Sequence, residues 1–348
     1  MEMTQLNTRQ KKILEYIAKN KESQNKDILH YFKESVSRST IARDLAFLYK
    51  NNFIQKKGKA RNVSYFENLP NALLSYINPE TYFQEDIDKR KLLKKNFNFD
   101  IFEVLTPLFF KEELKELDKL NNDYRERIEK LTLAVFKKEQ ERMIIEFAWK
   151  SSRLEGNTYN LIDTEFLIKE SIRAEGHKEE ETIMLLNHKK AFDYILKEKK
   201  EFKELSVESI ENIHALLVSD LKVKKGIRKG MVGILGTNYR PIDNQYQIKE
   251  ALEKLIKLVN STKHPIEKAL IAYALIPYIQ PFEDGNKRTS RVLVNAILLA
   301  HNYSLLSLRD IEAKDYKKTL ILFYEQNNLR LFKELFLRQF KFSNKNYF

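Results

Sequence analysis

Apolar residues recur at three- and four-residue steps along most of this chain, the period of helices that bury one face. At the start, Asn7 or Thr8 can cap a helix in which Ile13, Leu14 and Ile17 share a face. A second short helix holds Ile28, Leu29 and Phe32, and Ser37 or Ser39 opens a third with Ile41, Leu45 and Leu48. The period then drops to two. Phe53-Ile54-Gln55 reads as a strand, Lys56-Lys57-Gly58-Lys59-Ala60-Arg61 as a basic turn, and Asn62 to Phe66 as the returning strand. Three helices and a basic hairpin predict a winged helix-turn-helix over residues 1–67. Residues 68–110, punctuated by Pro70 and Pro79, read as a helical connector. Between 108 and 150, Leu114, Leu117, Leu120, Tyr124, Ile128, Leu131 and Val135 mark one long helix or two in sequence. That stripe suits an intramolecular packing face and leaves a homodimer contact open. The remainder, to residue 348, is patterned as helix apart from residues 230–247. The predicted fold class is therefore mainly α: a winged helix-turn-helix, then an all-helical domain over 111–348 with one β-hairpin.

The chain has 348 residues, enough for two or three domains. It has no cysteine, which excludes disulfides, thiolate zinc sites, iron–sulfur clusters and cysteine nucleophiles. Its longest apolar run, Ala269–Ile276, is far below the roughly 18 residues of a membrane-spanning helix. The first residues lack a signal-peptide pattern, so the expectation is a cytoplasmic protein without a membrane partner. Eight glycines leave no G-x-G-x-x-G and no Walker loop. The 62 Lys+Arg against 49 Asp+Glu give a net charge of +13, and residues 1–66 alone carry +8. A basic module on a nearly balanced body suggests a polyanion partner, double-stranded DNA. Ser37, Arg38, Ser39, Thr40 and Arg43 lie on the first turns of the third helix, where base-edge contacts are made. Lys56, Lys57, Lys59 and Arg61 would grip phosphates. The segment Ser39–Leu45 resembles the recognition helix of winged-helix bacterial regulators of the DeoR type. The alternative is a winged helix used for protein contacts.

The densest chemistry lies in Gln280-Pro281-Phe282-Glu283-Asp284-Gly285-Asn286-Lys287-Arg288-Thr289-Ser290-Arg291. Apolar helix patterns flank it on both sides, so Gly285-Asn286 falls at a helix N-terminus, where backbone N–H groups can cradle an anion. Arg288 and Arg291, three residues apart, can bind further phosphate oxygens. Asp284 is a hard carboxylate suited to one Mg²⁺ position. Such a turn can hold a nucleotide polyphosphate without a glycine-rich loop.

This segment resembles the Fic family signature H-x-F-x-[DE]-G-N-x-R-x-x-R, with Phe282, Asp284, Gly285, Asn286, Arg288 and Arg291 in register. Fic proteins mostly transfer AMP from ATP to a hydroxyl of a target protein. Their relative Doc phosphorylates instead and carries alanine where Gly285 stands. Ser151-Ser152-Arg153-Leu154-Glu155-Gly156 resembles the family's inhibitory motif [ST]-x-x-x-E-[GN], through Ser151, Glu155 and Gly156, on a helix near 145–157. The segment from Gly230 to Pro241, with Gly233, Ile234, Leu235, Gly236 and Thr237, resembles the hairpin flap that aligns a target. The resemblance runs from about residue 70 to the end of the sequence. It implies ATP and Mg²⁺ as cofactors, with Gly285, Asn286, Lys287, Arg288 and Arg291 on the nucleotide and Asp284 on the metal. It also implies a protein substrate with an acceptor hydroxyl, the chain itself being one candidate, and autoinhibition by a Glu155–Arg291 salt bridge. One position departs. The family's catalytic histidine, the general base, falls at Gln280, which has no titratable group. Losing such a base typically costs about 10²–10⁴ in rate. The six histidines lie outside the motif, and His188 and His214 read as structural residues on helix faces. The resemblance thus implies an adenylyltransferase impaired at Gln280. The alternative is a catalytically inactive, nucleotide-sensing transcriptional regulator.

Overall fold

The computed structural model describes residues 6–33, 35–59 and 62–348. They form two units: residues up to Arg90 with Thr106–Leu108, and Lys91–Leu105 with Phe109–Phe348. The first unit opens with α1 (Thr8–Asn20), β1 (Ser23–Gln24), α2 (Asn25–Tyr31) and α3 (Arg38–Lys50). The antiparallel strands β2 (Ile54–Lys57) and β3 (Ser64–Glu67) follow, and β1 joins the far edge of β3. Asn7 caps α1 and Ser37 caps α3. Ile13, Leu14, Ile17, Ile28, Ile41, Leu45, Leu48 and Ile54 close one core between helices and sheet. Two details differ from the sequence pattern. Lys56 and Lys57 belong to β2, paired with Tyr65 and Ser64, and are not in the turn. The two-residue β1 is too short to have shown a period. Arg61 lies outside the described residues. The short α4 (Pro79–Tyr82) completes the helices of this unit.

The second unit starts with the short α5 (Ile101–Val104). The stripe between 108 and 150 divides into α6 (Lys111–Glu129) and α7 (Leu133–Arg153), the latter capped by Thr132. Then come α8 (Leu161–Glu170), α9 (Glu179–Lys197), α10 (Val207–Leu217) and α11 (Gln245–Ser261). The series ends with α12 (Pro265–Ile279), α13 (Asn286–Ala300), α14 (Ala313–Gln326) and α15 (Arg330–Asn346). Thirteen of the fifteen residues of α13 are buried, and all but the first of α12. Helices buried on every side belong in a core, α12 through its apolar residues and α13 with polar side chains among those it buries. The two helices therefore form a central hairpin, surrounded by α7, α9, α10, α11, α14 and α15. Burying that hairpin fixes the turn between its helices. The molecule is mainly helical, and its one sheet, among the described residues, is that of the first unit.

The expected β-hairpin at 230–247 does not form. Residues 230–244 are a loop with a turn at Leu235-Gly236, and no ladder joins its arms. The backbone of the returning arm is satisfied elsewhere. Arg240 N–H donates to Lys95 O at 2.8 Å, forming a single bridge beside Asn96. Tyr239 N–H donates to Thr237 Oγ1 at 3.1 Å. An arm already paired this way has fewer groups left for a cross-strand ladder.

Candidate active site

The α12–α13 turn is held by its own side chains. Gln280 ends α12 in the left-handed region, φ 53°, its N–H donating to Ile276 O at 3.0 Å. Asn286 spans the turn. Its Nδ2 donates to Phe282 O at 2.8 Å and to Gln280 Oε1 at 2.9 Å, while its Oδ1 accepts from Phe282 N at 2.9 Å. Gln280 Nε2 donates to Pro277 O at 2.7 Å, so both ends of that amide are engaged. Gly285 carries φ +84°, which L side chains rarely adopt, and a Cβ there would stand 3.2 Å from Val218 Cγ1. No side chain caps the first N–H groups of α13. The first N–H groups of a helix have no partner within it, and an anion can take them.

The cationic side chains of α13 are all occupied by this chain's own groups. Arg288 is buried, donating to Asp284 Oδ2 at 2.9 Å and to Leu217 O at 3.3 Å. Arg291 is buried too; its side chain has 0 % exposure. Its Nε donates to Ser151 Oγ at 2.8 Å and its Nη2 to Ser151 O at 3.0 Å. Its Nη1 lies 2.8 Å from Glu155 Oε1, and Lys287 Nζ lies 2.7 Å from Glu155 Oε2. One carboxylate thus bridges the two cations. Burial pushes the Glu155 carboxyl up, but the charges of Arg291 and then Lys287 outweigh burial and hold it at about 2. The guanidinium of Arg291 also lies over the Tyr316 ring, 5.4 Å from its centroid.

Ser151 reaches this point from the last turn of α7, and Glu155 from the turn that follows the helix. Gly156, φ +95°, lets the chain leave that helix. His188 on α9 supports Ser151 from behind. Its Nδ1 lies 2.8 Å from Met184 O, which can only accept, so Nδ1 carries the proton. Its Nε2, 2.8 Å from Ser151 Oγ, is then the acceptor, and Ser151 passes its own hydroxyl hydrogen there while accepting from Arg291. Burial first, then nearby arginine charge, lowers the His188 pKa to about 3. His214 on α10 stacks on Phe282, centroids 3.7 Å apart and planes at 7°, and its Nε2 donates to Asp284 O at 3.0 Å. Burial lowers its pKa to about 4. Both histidines are neutral supports at pH 7.

The remaining expected residues take no part in these contacts. Gly233, Ile234, Leu235, Gly236 and Thr237 form the outer part of the 230–244 loop, tied down by Thr237 Oγ1 donating to Glu325 Oε1 at 2.6 Å. Ser37, Arg38, Ser39 and Arg43 are exposed on the first unit, as are Lys56, Lys57 and Lys59, and Thr40 is half-buried. Arg228 was not anticipated. It is buried and serves three carbonyls: Nε donates to Gln280 O at 2.6 Å, Nη1 to Gly230 O at 2.5 Å, and Nη2 to Ile242 O. Its own N–H donates to Pro281 O at 2.9 Å. Both ends of the loop are thereby tied to the Gln280 turn. The only cue in the sequence is a basic residue bracketed by Gly226 and Gly230. Nothing in the spacing could have linked His188 to Ser151, 37 residues away.

Residues 204–298 match the Fic/DOC family. The chain is 26 % identical over 178 residues to a protein adenylyltransferase Fic of Nematostella vectensis, covering 49 % of this chain and 41 % of that protein. It is 24 % identical over 163 residues to protein adenylyltransferase fic-1 of Caenorhabditis elegans, covering 45 % and 32 %. The chain spans about two fifths or less of the length of these relatives. Among solved structures, a fragment of Fic-1 from C. elegans superposes with a TM-score of 0.57 at 20 % identity, covering 68 % of this chain and 70 % of that one. A Fic-domain signalling protein from Bacteroides thetaiotaomicron superposes at 0.56 and 21 %, covering 67 % and 94 %. The turn from Gln280 to Asn286 and both arginines of α13 lie inside the segment that matches the Fic/DOC family, and the chain has a Fic-like fold.

Proposed function

We propose that this chain is an autoinhibited Fic-type protein adenylyltransferase, moving AMP from ATP to a protein hydroxyl, with chemistry slowed by Gln280. The observation that carries the reading is the Glu155 carboxylate bridging Arg291 and Lys287. Two cations at an uncapped helix N-terminus are what a polyphosphate requires, and a carboxylate of the chain now fills that role. ATP would set its phosphates on the Gly285-Asn286 turn, with Arg291 and Lys287 on the outer oxygens once Glu155 withdraws and Arg288 beside them once its contact with Asp284 yields. Asp284 fits a Mg²⁺ that arrives with the phosphates, because its side chain is 68 % exposed and, among the described residues, no cluster of three His or acidic side chains forms a protein-made metal cage. The ion, when bound, neutralises phosphate charge. The target's hydroxyl oxygen bonds to the α-phosphorus, the bond to the β-phosphate oxygen breaks, and pyrophosphate leaves. The hydroxyl proton goes to water, because Gln280 cannot accept it and both ends of its amide are engaged. Positioning and charge stabilisation still operate without a base.

A second reading has its own support: the committed Gln280 amide, and an exposed basic face on the first unit. In it the first unit is a winged helix that binds double-stranded DNA through Arg38, Arg43 and their neighbours. The nucleotide pocket then senses ATP without transferring AMP.

The test is label transfer from α-labelled ATP to protein, using Glu155→Gly with and without Gln280→His. Transfer by the form that keeps Gln280 supports an enzyme with a dispensable base. Transfer only after Gln280→His shows an intact scaffold silenced at one residue. If neither form labels protein, the adenylyltransferase reading fails and the sensing regulator stands.

A further inference from the structure

The second unit holds a cavity of about 230 Å³ between α6, α7 and the end of α13. Its wall is mostly apolar: Tyr124 and Ile128 from α6, Phe136 and Met143 from α7, Leu299 from α13, and Phe348. Leu299 stands at the far end of α13 from the Gln280 turn, about 20 Å along the helix from Asn286. The Phe348 ring lies 5.3 Å from that of Phe136, with planes at 29°, and 5.6 Å from that of Tyr124, with planes at 83°. The charged residues that line the cavity are Arg125 and Glu129 on α6 and Lys199 in the 3₁₀ segment after α9. All three are exposed, and none of these side chains has an ion-pair or hydrogen-bond partner among the described residues. The mouth thus carries one positive charge in excess above an aromatic interior. An apolar cavity of about 150 Å³ is large enough for benzene, so this one has room for a two-ring molecule.

Helix α7 connects this cavity to the inhibitory contact. Ser151, which receives Arg291, lies eight residues beyond Met143, about 12 Å along the helix. Between them the buried Glu146 holds α7 in place, 3.3 Å from Arg309 and accepting from the Tyr347 hydroxyl. We propose that the cavity is the site of an effector, a small two-ring aromatic carboxylic acid. Its rings lie against Tyr124, Phe136 and Met143, where aromatic faces and edges and a thioether favour a flat π-system. Its carboxylate lies at Arg125 and Lys199, and Glu129 at the same mouth opposes a second negative charge. The cavity is present in the arrangement in which Glu155 holds Arg291. Withdrawal of Glu155 displaces α7, and Phe136 and Met143 with it, so the acid binds the inhibited arrangement more tightly and opposes ATP. The effector role rests on the reading of Glu155 as inhibitory, whereas the binding site does not.

The probe is indole-3-acetate. Beside it stand indole-3-acetamide, which keeps the rings and loses the charge, and octanoate, which keeps the charge and loses the rings. Titration calorimetry reads each on the full chain. The acid is expected to bind about fivefold more tightly than the amide at low salt, with octanoate weaker than the acid. Arg125→Glu/Lys199→Glu should remove the preference for the acid with an unchanged melting temperature. Ile128→Trp, which fills the cavity, should abolish binding of both indoles. Saturating acid should weaken Mg-ATP binding about fivefold, and saturating Mg-ATP should weaken the acid by the same factor. In Glu155→Gly both effects should vanish while acid binding remains. A dissociation constant for the acid above about 1 mM overturns the proposal. So does undiminished binding in Ile128→Trp, or octanoate binding more tightly than the acid. Preferential binding of the acid with no effect on ATP in the full chain overturns the effector role. If Glu155→Gly leaves ATP affinity unchanged while the acid still binds the parent chain and not Ile128→Trp, the inhibitory reading fails and the site stands.

Discussion

At the residue scale, the chemistry turns on which groups keep their charge. Glu155 sits between Arg291 and Lys287, so its removal has two opposed effects. Glu155→Gly leaves the fully buried Arg291 without its counter-charge, a change that typically costs about 3 kcal/mol. The same change opens the cations to phosphate. The expected outcome is a lower melting temperature that recovers with Mg-ATP, together with about tenfold tighter ATP binding by calorimetry. Unchanged ATP affinity would remove the inhibitory role from Glu155. Acidification tests the same neighbourhood. His188 and His214 have folded pKa values near 3 and near 4, below the ordinary value of 6.5, because burial disfavours their charged forms. The unfolded chain therefore binds more protons below pH 6.5. Stability should fall as pH drops from 6.5 towards 4, before most carboxylates titrate. Glu155 has the opposite cause and a lower window. Its folded pKa of about 2 lies below the usual 4.5, so the stabilisation it supplies is complete above pH 4.5 and is lost between there and pH 2. A melting temperature that stays flat from pH 7 to pH 5 would contradict the buried neutral histidines. The ion pair itself is no switch at neutral pH.

At the scale of elements, two helices and one loop define the site, and the contacts between them are side chain to backbone. The α12–α13 hairpin is set by burial, and its turn is closed by Asn286 and Gly285. The 230–244 loop has no ladder of its own, so Arg228 does the work that strand pairing would do. Arg228→Met keeps the bulk but leaves buried carbonyls unpaired, each costing about 1–3 kcal/mol. A loss of about 3 kcal/mol in denaturant unfolding is expected, with faster hydrogen exchange confined to residues 230–242 and the Gln280 turn. Equal protection of that loop in both proteins would show that Arg228 is packing alone. The last turn of α7 delivers Ser151, and the turn that follows the helix delivers Glu155, whose N–H donates to Ser152 O at 2.9 Å. Ser151 meets His188 and Arg291 at once.

At the scale of the molecule, the two units divide charge and chemistry between them. The first carries the exposed cations of α3 and β2, and the second carries the anion site. On the reading of the first unit as a DNA-binding head, Arg38→Ala with Arg43→Ala should weaken duplex binding by about tenfold or more, with a shallower salt dependence. Electrophoretic mobility shifts at two salt concentrations check this. The double variant should leave label transfer by Glu155→Gly/Gln280→His unchanged. Absence of duplex binding by the parent chain even at low salt would sink the regulator reading.

Periodicity alone determined the helices that bury an apolar face. Ile41, Leu45 and Leu48 announce α3, and the unbroken apolar run of α12 announces a core helix, because burial acts locally on every third or fourth residue. The residues of the α12–α13 turn were equally legible, since Gly285, Asn286, Arg288 and Arg291 lie within a few residues of one another. The Glu155–Arg291 pair could be anticipated only through family resemblance, because 136 residues separate its members. Three features belonged to the tertiary structure. The loop at 230–244 reads as a hairpin by its resemblance to the family flap, yet its backbone pairs with Lys95 and with its own Thr237. Lys287 joins Arg291 on one carboxylate, which follows from where α7 ends. His188 and Arg228 show no pattern because their partners are backbone carbonyls and a serine brought from elsewhere in the chain. A sequence records which side chains can donate, accept or carry charge. Which distant groups they satisfy is decided only when packing brings those groups within about 3 Å in a place where water cannot compete.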